Sequence, residues 1–565
     1  MGIRMNPKGT PRVWASWLFD LTMVVVILSI RWDATVRADP GLDATSSLPT
    51  WWWGWGNLQD WLLIGPDAGN WAANAEAWRD GSALDSHRLP IYSMLTAWFS
   101  SFFGDVVFAG HQVNHLLSAL LGLLAYAIGR ITSGRAVAVA AGVLTAWSPE
   151  LVNNQLLFGV DPSLQFAVLL LALGTLLALS KGTWPWVVGA GFCLSWAMAT
   201  HYLLMLFVPV SAFCFLLMKR PLSLRIRYMV AFLLIGWLGF QFFARDYEDL
   251  SVGMVLNVFT EGVAGSDGRV IAEGPMGGDT ATSIVVQNLP TAPRLAVQRG
   301  LRSMKVEGVP WTLLLMLFWV GLLGWGLQNR ERKSIDWRHT LFFLAFLSPL
   351  IGLEASRAPD RYALFSRPIF FLVVARGVVS LTYMAEWGFR KGLPPWRKLP
   401  QGLLRGCLSA VVVLGLLSAY RAPYTQRWEL RPPVDEGLGD RAIAAAINEE
   451  FTRQGGIVTT SQALEYFTGR TRCPGNFCPR GGNDAVAQCF EEILRQCSGG
   501  GHIPYVVSRS RTAGLGDQRN EAVDQVIAAN FERVATHRGE ALTLDLYRVE
   551  RRELLDLARS LRSRP

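Results

Sequence analysis

The chain has 565 residues, of which 51% are hydrophobic and only 17% charged, with 23 Trp and a mean hydropathy of +0.26. Apolar runs of about 17–22 residues recur along it, each long enough to cross a hydrocarbon core of roughly 30 Å, so the composition excludes an ordinary soluble multidomain protein and predicts a polytopic helical membrane protein. The net charge of +9 does not point to nucleic acid, because Lys and Arg sit mostly in short connections between spans, where they anchor the cytoplasmic side.

In chain order, Arg4, Lys8 and Arg12 precede an apolar run from Val13 to Ile30. It reads as an uncleaved first span, with a cleavable signal peptide ending near Val36 and Ala38 as the alternative. The chain beyond Arg31 then emerges outside the cytoplasm. Further spans are predicted at 111–131, 134–150, 162–180, 184–200, 202–218, 228–245, 309–327, 340–354, 363–384 and 403–420, which with the first makes eleven. Arg130 and Arg135, Lys181, Lys219 to Arg227, Arg330 to Arg338 and Arg390 to Arg405 all fall on the cytoplasmic side of this scheme, in strict alternation with loops poorer in basic residues. The first outer loop (32–110), the connection near Asp161, the long loop 246–308 and the C-terminal tail fall outside.

The first outer loop contains "GPDAGNWAANAEAWRDGSALDSHRLPIY", from Gly65 to Tyr92. Asp67 heads a helical pattern carrying Trp71 and Trp78, and a basic-polar turn at His87-Arg88 leads into Leu89-Pro90-Ile91-Tyr92. The amphipathic pattern predicts helices lying on the bilayer surface and presenting a carboxylate there. Leu89 to Phe103 is apolar but short, and reads as an interfacial or re-entrant helix. The Gly- and Pro-rich loop 246–308 ("GSDGRVIAEGPMGGD") reads equally as a lid or as a plain connection.

Beyond Tyr420 the composition changes. Residues 421–565 carry helical patterns at 437–454, 519–533 and 549–562 and strand patterns at 456–460, 503–508 and 541–548, which predict a small soluble α/β domain on the outer side. It holds Cys473, Cys478, Cys489 and Cys497. An oxidising compartment favours two disulfides, with three pairings open, over a zinc site whose usual spacing these cysteines do not match. Cys193, Cys214 and Cys407 lie in spans as packing residues. The sequence contains no Walker or dinucleotide glycine motif.

Ionisable residues at the outer face are few. Asp67 is one, and Asp161 in "LLFGVDPSLQF" is another; the plain alternative for Asp161 is an N-cap with Pro162 at the first helical position. Glu150, beside Pro149, is a weaker candidate. "EASRAPDRYALFSRP" brings Arg357, Arg361 and Arg367 to an outer span end, where they either snorkel to lipid phosphates or form a fork for a substrate phosphate. His201, at a span end, is either a phosphate contact or a satisfied helix-end histidine. Carboxylates that can take a proton or hold a cation, beside arginines that can stabilise a leaving phosphate, are the equipment for moving a group from a lipid phosphate.

This arrangement resembles the GT-C integral-membrane glycosyltransferases, specifically the polyprenyl-phosphate-sugar-dependent branch with protein mannosyltransferases and aminoarabinose transferases. The resemblance is carried by Asp67, "ANAEAWRDG" and "LPIY", then by "FGDVVFAGHQVNHLLSALLGLLAYAIGR", "GRAVAVAAGVLTAWSPELV", the Asp-Pro at 161–162 and "RYALFSRP". It covers most of residues 1–420, a transmembrane catalytic module. It implies that Asp67 is the catalytic base or a metal-linked carboxylate, Asp161 the second acidic site residue, and Arg361 a contact to the lipid phosphate, with Arg357, His201, Tyr92 and His87 lining the substrate site. A divalent metal at Asp67 and Asp161 stays an open expectation. The implied partners are a polyprenyl-phosphate-linked sugar, a lipid, glycan or protein acceptor, and the membrane, with no nucleic acid. The implied place is the bacterial inner membrane, N-terminus cytoplasmic. Ala68 comes directly after Asp67, so the paired acidic motif of the mannosyltransferases is absent, and Thr200-His201 stands where relatives often carry Thr-Lys. A transporter of lipid-linked sugar and a non-catalytic assembly subunit are the rival readings.

Overall fold

The structure is a computed structural model that describes residues 10–38, 68–82, 84, 89–156, 158–245, 311–327, 337–351, 364–392, 431–451, 455–459, 461–470, 472–473, 483–497, 501–510, 521–539 and 542–562, with four isolated positions between 407 and 414. The described residues begin with helix α1 (Thr10–Ala38), and its two halves report the two sides of the molecule. In the first half, Asp20 accepts the Tyr126 hydroxyl at 2.5 Å and lies 3.5 Å from Arg130 and 3.8 Å from Arg135. In the second half, Arg31 reaches Ser118 and the stretch from Ala146 to Gln155. One end of the bundle thus gathers the basic turn between α4 (Val106–Thr132) and α5 (Arg135–Ala146), as the alternation of charge predicts.

Among the described residues, helices occupy every predicted span up to 363–384; the predicted span 403–420, apart from the four isolated positions, and the loop 246–308 lie outside them. Among the described residues four helices are long and apolar enough to cross a membrane: α4, α7 (Asp161–Lys181), α10 (Leu222–Ala244) and the stretch Leu364–Glu386, which overlaps most of α13 (Arg367–Gly392). On α10, two stripes at a spacing of four residues divide the work. Tyr228, Phe232, Gly236 and Phe240 are buried, while Val230, Leu234, Leu238 and Phe242 are exposed, the side a lipid tail would cover.

Two predicted spans are shorter than expected. The span at 134–150 stops as α5 at Ala146, and α6 (Pro149–Leu156) starts separately, because Pro149 disfavours helical backbone at Ser148 and offers no N–H. The span at 202–218 begins as a 3-10 turn, Tyr202–Leu206, before the nine-residue α9 (Phe207–Phe215). His201 stands between α8 (Trp184–Thr200) and that turn in extended conformation, φ −159° and ψ 139°.

The core runs between α4, α5, α7, α8, α10, α11 (Trp311–Leu327), α12 (Arg338–Leu347) and α13. At the closest approach, a Cβ on Gly377 of α13 would stand 1.9 Å from the Leu317 carbonyl oxygen of α11, and one on Gly321 would stand 2.0 Å from that of Val373. Only glycine lets the two backbones touch in this way. Arg376 donates from there to the Gly324 carbonyl at 3.0 Å.

In the C-terminal segment, a five-stranded sheet of order β2-β1-β3-β5-β4 is built from Ile457–Val458, Arg472–Cys473, His502–Ser510, Glu532–Arg538 and Leu542–Glu550 (β1 to β5). β1 pairs parallel with β2 and β3, and β5 pairs antiparallel with β3 and β4. Helices α14 (Arg431–Glu450), α15 (Gln462–Thr468), α16 (Asn483–Gln496), α17 (Glu521–Asn530) and α18 (Arg551–Arg562) accompany it. Val486, Phe490 and Ile493 of α16 share a core with Leu554, Ala558 and Leu561 of α18. A disulfide joins Cys473 to Cys497, Cα atoms 5.3 Å apart, and Cys489 is also disulfide-bonded; Cys478 lies outside the described residues. β4 corrects the helical reading of 519–533, because α17 already ends at Asn530.

Candidate functional site

The N-terminal ends of α4 and α7 meet two helices of the 68–103 stretch, α2 (Ala68–Asp80) and α3 (Pro90–Phe103). On α2, Ala68, Trp71, Ala72 and Ala75 recur at helical spacing and are fully or almost fully buried. They pack with Tyr92, Val106, Val113, Phe158 and Val160, not against lipid. The sequence pattern laid this helix on the bilayer surface; its small side chains let it sink into protein instead. α3 differs, since Trp98 and Phe102, one turn apart, are 58% and 69% exposed.

Asp161 is 8% exposed and sits in the first turn of α7, at the N-terminal end of that helix. It is not the N-cap: Val160 holds that position in helical backbone, with no side-chain cap. Tyr92 is completely buried and is pinned edge-on by Trp71 at 5.4 Å and by Phe158 at 5.9 Å between ring centroids. Its hydroxyl donates to the Gly110 carbonyl at 3.5 Å, and its polar neighbours include Asn114, the backbone of Gly159 and the Asp161 carboxylate. Burial, more than any neighbour, raises its pKa, so the phenol stays neutral. Gly110 is required here: a Cβ would stand 2.2 Å from the Phe158 ring.

A second polar group backs this pocket. Arg31, 2% exposed, donates to Gln155 Oε1 at 3.0 Å, to the carbonyls of Leu151 at 2.8 Å and Ala146 at 3.3 Å, and to the Ser118 hydroxyl. Gln155 in turn donates to Thr35 at 2.6 Å, and its Nε2 lies 3.0 Å from His115 Nδ1. Sequence reasoning passes over this network. Its signal is present in "HQVNHLLS", where His111, His115 and Ser118 share one face of α4.

The predicted site residues are thus unevenly placed. Asp161 and Tyr92 come together. His201 accepts the Leu203 N–H on its Nδ1 at 3.2 Å and stacks beside Tyr202, the helix-end role. An apolar pocket lined by Leu164, Leu203, Leu204, Phe207, Pro349 and Phe365 lies one turn inward from Asp161. Asp67, His87, Arg357 and Arg361 lie outside the described residues. Of the arginine run, Arg367 is described, and it is committed to an ion pair with Glu150. Among the described residues no group of three His, Cys, Asp or Glu could hold a metal ion.

Residues 87–244 match the family model described as dolichyl-phosphate-mannose-protein mannosyltransferase. No curated protein matches the sequence. Among solved structures, the archaeal oligosaccharyltransferase AglB from Archaeoglobus fulgidus, in complex with an inhibitory peptide and a dolichol-phosphate, is similar with a TM-score of 0.55 and 14% identity, over 87% of this chain and 70% of that one. An Archaeoglobus fulgidus oligosaccharyltransferase in complex with Zn and sulfate gives 0.54 and 12%, over 85% and 67%. ArnT from Cupriavidus metallidurans, bound to undecaprenyl phosphate, gives 0.51 and 13%, over 94% and 98%. The chain has the fold of the GT-C glycosyltransferases.

Proposed function

We propose that the chain is a membrane glycosyltransferase that moves a sugar from a polyprenyl-phosphate donor in the outer leaflet to an extracytoplasmic acceptor. The observation that carries this reading is Asp161, a buried carboxylate at the N-terminal end of α7 beside Tyr92, within the stretch that matches the mannosyltransferase model. The two structures similar to this one that were solved with carrier lipids, AglB and ArnT, support the class of donor.

In the proposed reaction Asp67 takes the proton of an acceptor hydroxyl or amine as that atom attacks the anomeric carbon. The bond from that carbon to the phosphate oxygen breaks, and the polyprenyl phosphate leaves with the electron pair. Asp161 orients the acceptor, and Arg361 with Arg357 balances the charge that develops on the phosphate. The acceptor is a lipid, a glycan or a protein, and the setting is the bacterial inner membrane with eleven spans. The test is transfer of radiolabelled sugar from a panel of polyprenyl-phosphate sugars in membranes. Asp67→Asn and Asp161→Asn should each lower transfer by roughly 10²-fold or more, with insertion unchanged. Full activity in Asp67→Asn would sink the assignment of the base.

One observation favours a second reading, a transporter of lipid-linked sugar. Arg376 and Glu386 are both 6% exposed within the long apolar helix α13. Arg376 lies nine residues inward of Arg367, about 14 Å along the helix. Its bond to the Gly324 carbonyl gives it a packing role that needs no transport path. In proteoliposomes a transporter moves donor without consuming it, and a transferase consumes it.

A further inference from the structure

The C-terminal segment touches the site's own wall. Ser461 caps α15 by accepting the Leu464 N–H at 3.3 Å, and its hydroxyl donates to Asp440 of α14 at 2.5 Å, so α15 is tied to the rest of that segment. From α15, Ala463 enters the cluster of Ala68, Trp71, Ala72 and Ala75, and Tyr466 and Phe467 pack at its edge. The Tyr466 hydroxyl donates to Glu76 Oε1 of α2 at 2.7 Å, across 390 positions of sequence. Burial, then the bond to Glu76, raises the Tyr466 pKa, so the phenol remains a donor through neutral pH. On the same helix, Trp71 holds Tyr92 edge-on beside Asp161. α2 is therefore a wall shared by the C-terminal segment and the candidate site, and its first residue, Ala68, is the direct neighbour of Asp67 in the chain.

We propose that Tyr466 and Glu76 are positioning residues for the transfer reaction: α15 fixes the placement of α2, and with it Trp71 edge-on against Tyr92. This role rests on the glycosyltransferase function proposed for the chain. A domain that merely docked there would hold the same contact without affecting turnover, and the two cases separate by experiment.

The full chain in nanodiscs is compared as wild type, Tyr466→Phe, Glu76→Gln and the double variant, by hydrogen exchange of the α2 amides and by transfer kinetics. Tyr466→Phe should speed α2 exchange and lower kcat, each about tenfold, with KM for the lipid donor unchanged, as loss of one charge-assisted hydrogen bond allows. Glu76→Gln still presents an acceptor oxygen and should keep most of both. The double variant should fall no further than Tyr466→Phe, because the two residues act through one bond. Unchanged α2 exchange in Tyr466→Phe overturns the clamp, whether or not transfer is detected. Faster exchange with wild-type kcat reduces the contact to docking and overturns the positioning role. A wild type that transfers nothing from any donor removes the glycosyltransferase reading and the positioning role with it, while exchange still reports the clamp.

Discussion

Arg367, the first residue of α13, pairs its guanidinium with the carboxylate of Glu150 in the first turn of α6 and donates to the Ser148 hydroxyl at 3.3 Å. The pair joins two segments 217 positions apart, 367 minus 150. Arg367 is 2% exposed and Glu150 34%. Glu150→Gln leaves a buried cation without its counter-charge. The expected loss is about 1–3 kcal/mol, below the 3–5 kcal/mol of a fully buried pair because water reaches Glu150. A thermal unfolding curve of the purified chain in detergent measures it, and a Tm equal to wild type would remove the pair from the account of stability.

Gly110 admits the Phe158 ring, and Phe158 holds one edge of Tyr92. Gly110→Ala should displace that ring toward Tyr92 and His111, destabilising the chain by about 1–3 kcal/mol and lowering transfer as well. Phe158→Leu in the same background should restore part of both, since the smaller side chain makes room for the methyl. The readouts are Tm and labelled transfer, run on single and double variants.

Cys473 and Cys497 close a loop with a sequence separation of 24. Chain-entropy arguments assign such a cross-link about 3 kcal/mol through the unfolded state. Replacing both by Ala should therefore lower the unfolding temperature of the sheet-bearing segment. The apolar bundle should keep its helical circular dichroism, because none of its described helices takes part in that disulfide.

Two phenols make the outer segment sensitive to alkali. Tyr505 donates to Asp524 at 2.9 Å and is buried, and burial raises its pKa well above the ordinary value; that of Tyr466 is also raised. Both folded values exceed the unfolded one, so their contribution is intact below a pH of about 10 and is lost as the pH climbs through the folded values. Tyrosinate absorbance should show these two ionising only together with unfolding. Tyr505→Phe should remove part of that delayed step, and an unchanged titration curve would contradict the burial of the ring.

Much of the bundle was legible because lipid imposes a simple code: apolar runs of sufficient length, with basic residues collected on one side. Asp20 lies beside Arg130 and Arg135, so the basic turn after α4 meets the first half of α1. The code says little about how a span ends, so α5 and α9 were read as too long, and proline chemistry and an extended His201 decide those breaks. Asp161 was legible as an ionisable residue where few occur. The role of Arg367 was not, since it depends on Glu150 far back in the chain, and neither was the pairing of Tyr466 with Glu76. β4 was missed because its exposed, charged face lacks the alternation that marks a half-buried strand.

The Arg31 network bears on how the protein is made. Synthesis runs from the N-terminus, so α1 is complete before the Arg31 guanidinium has any of these partners; Ser118 emerges 87 residues later, and Gln155 only after 124. Until then the long side chain must reach up to the headgroups to stay hydrated. The arrival of α4 and α6 draws it back inward and binds the first helix to the bundle. A nascent chain halted before Gln155 therefore holds a first helix that lacks its full set of bonds to the bundle.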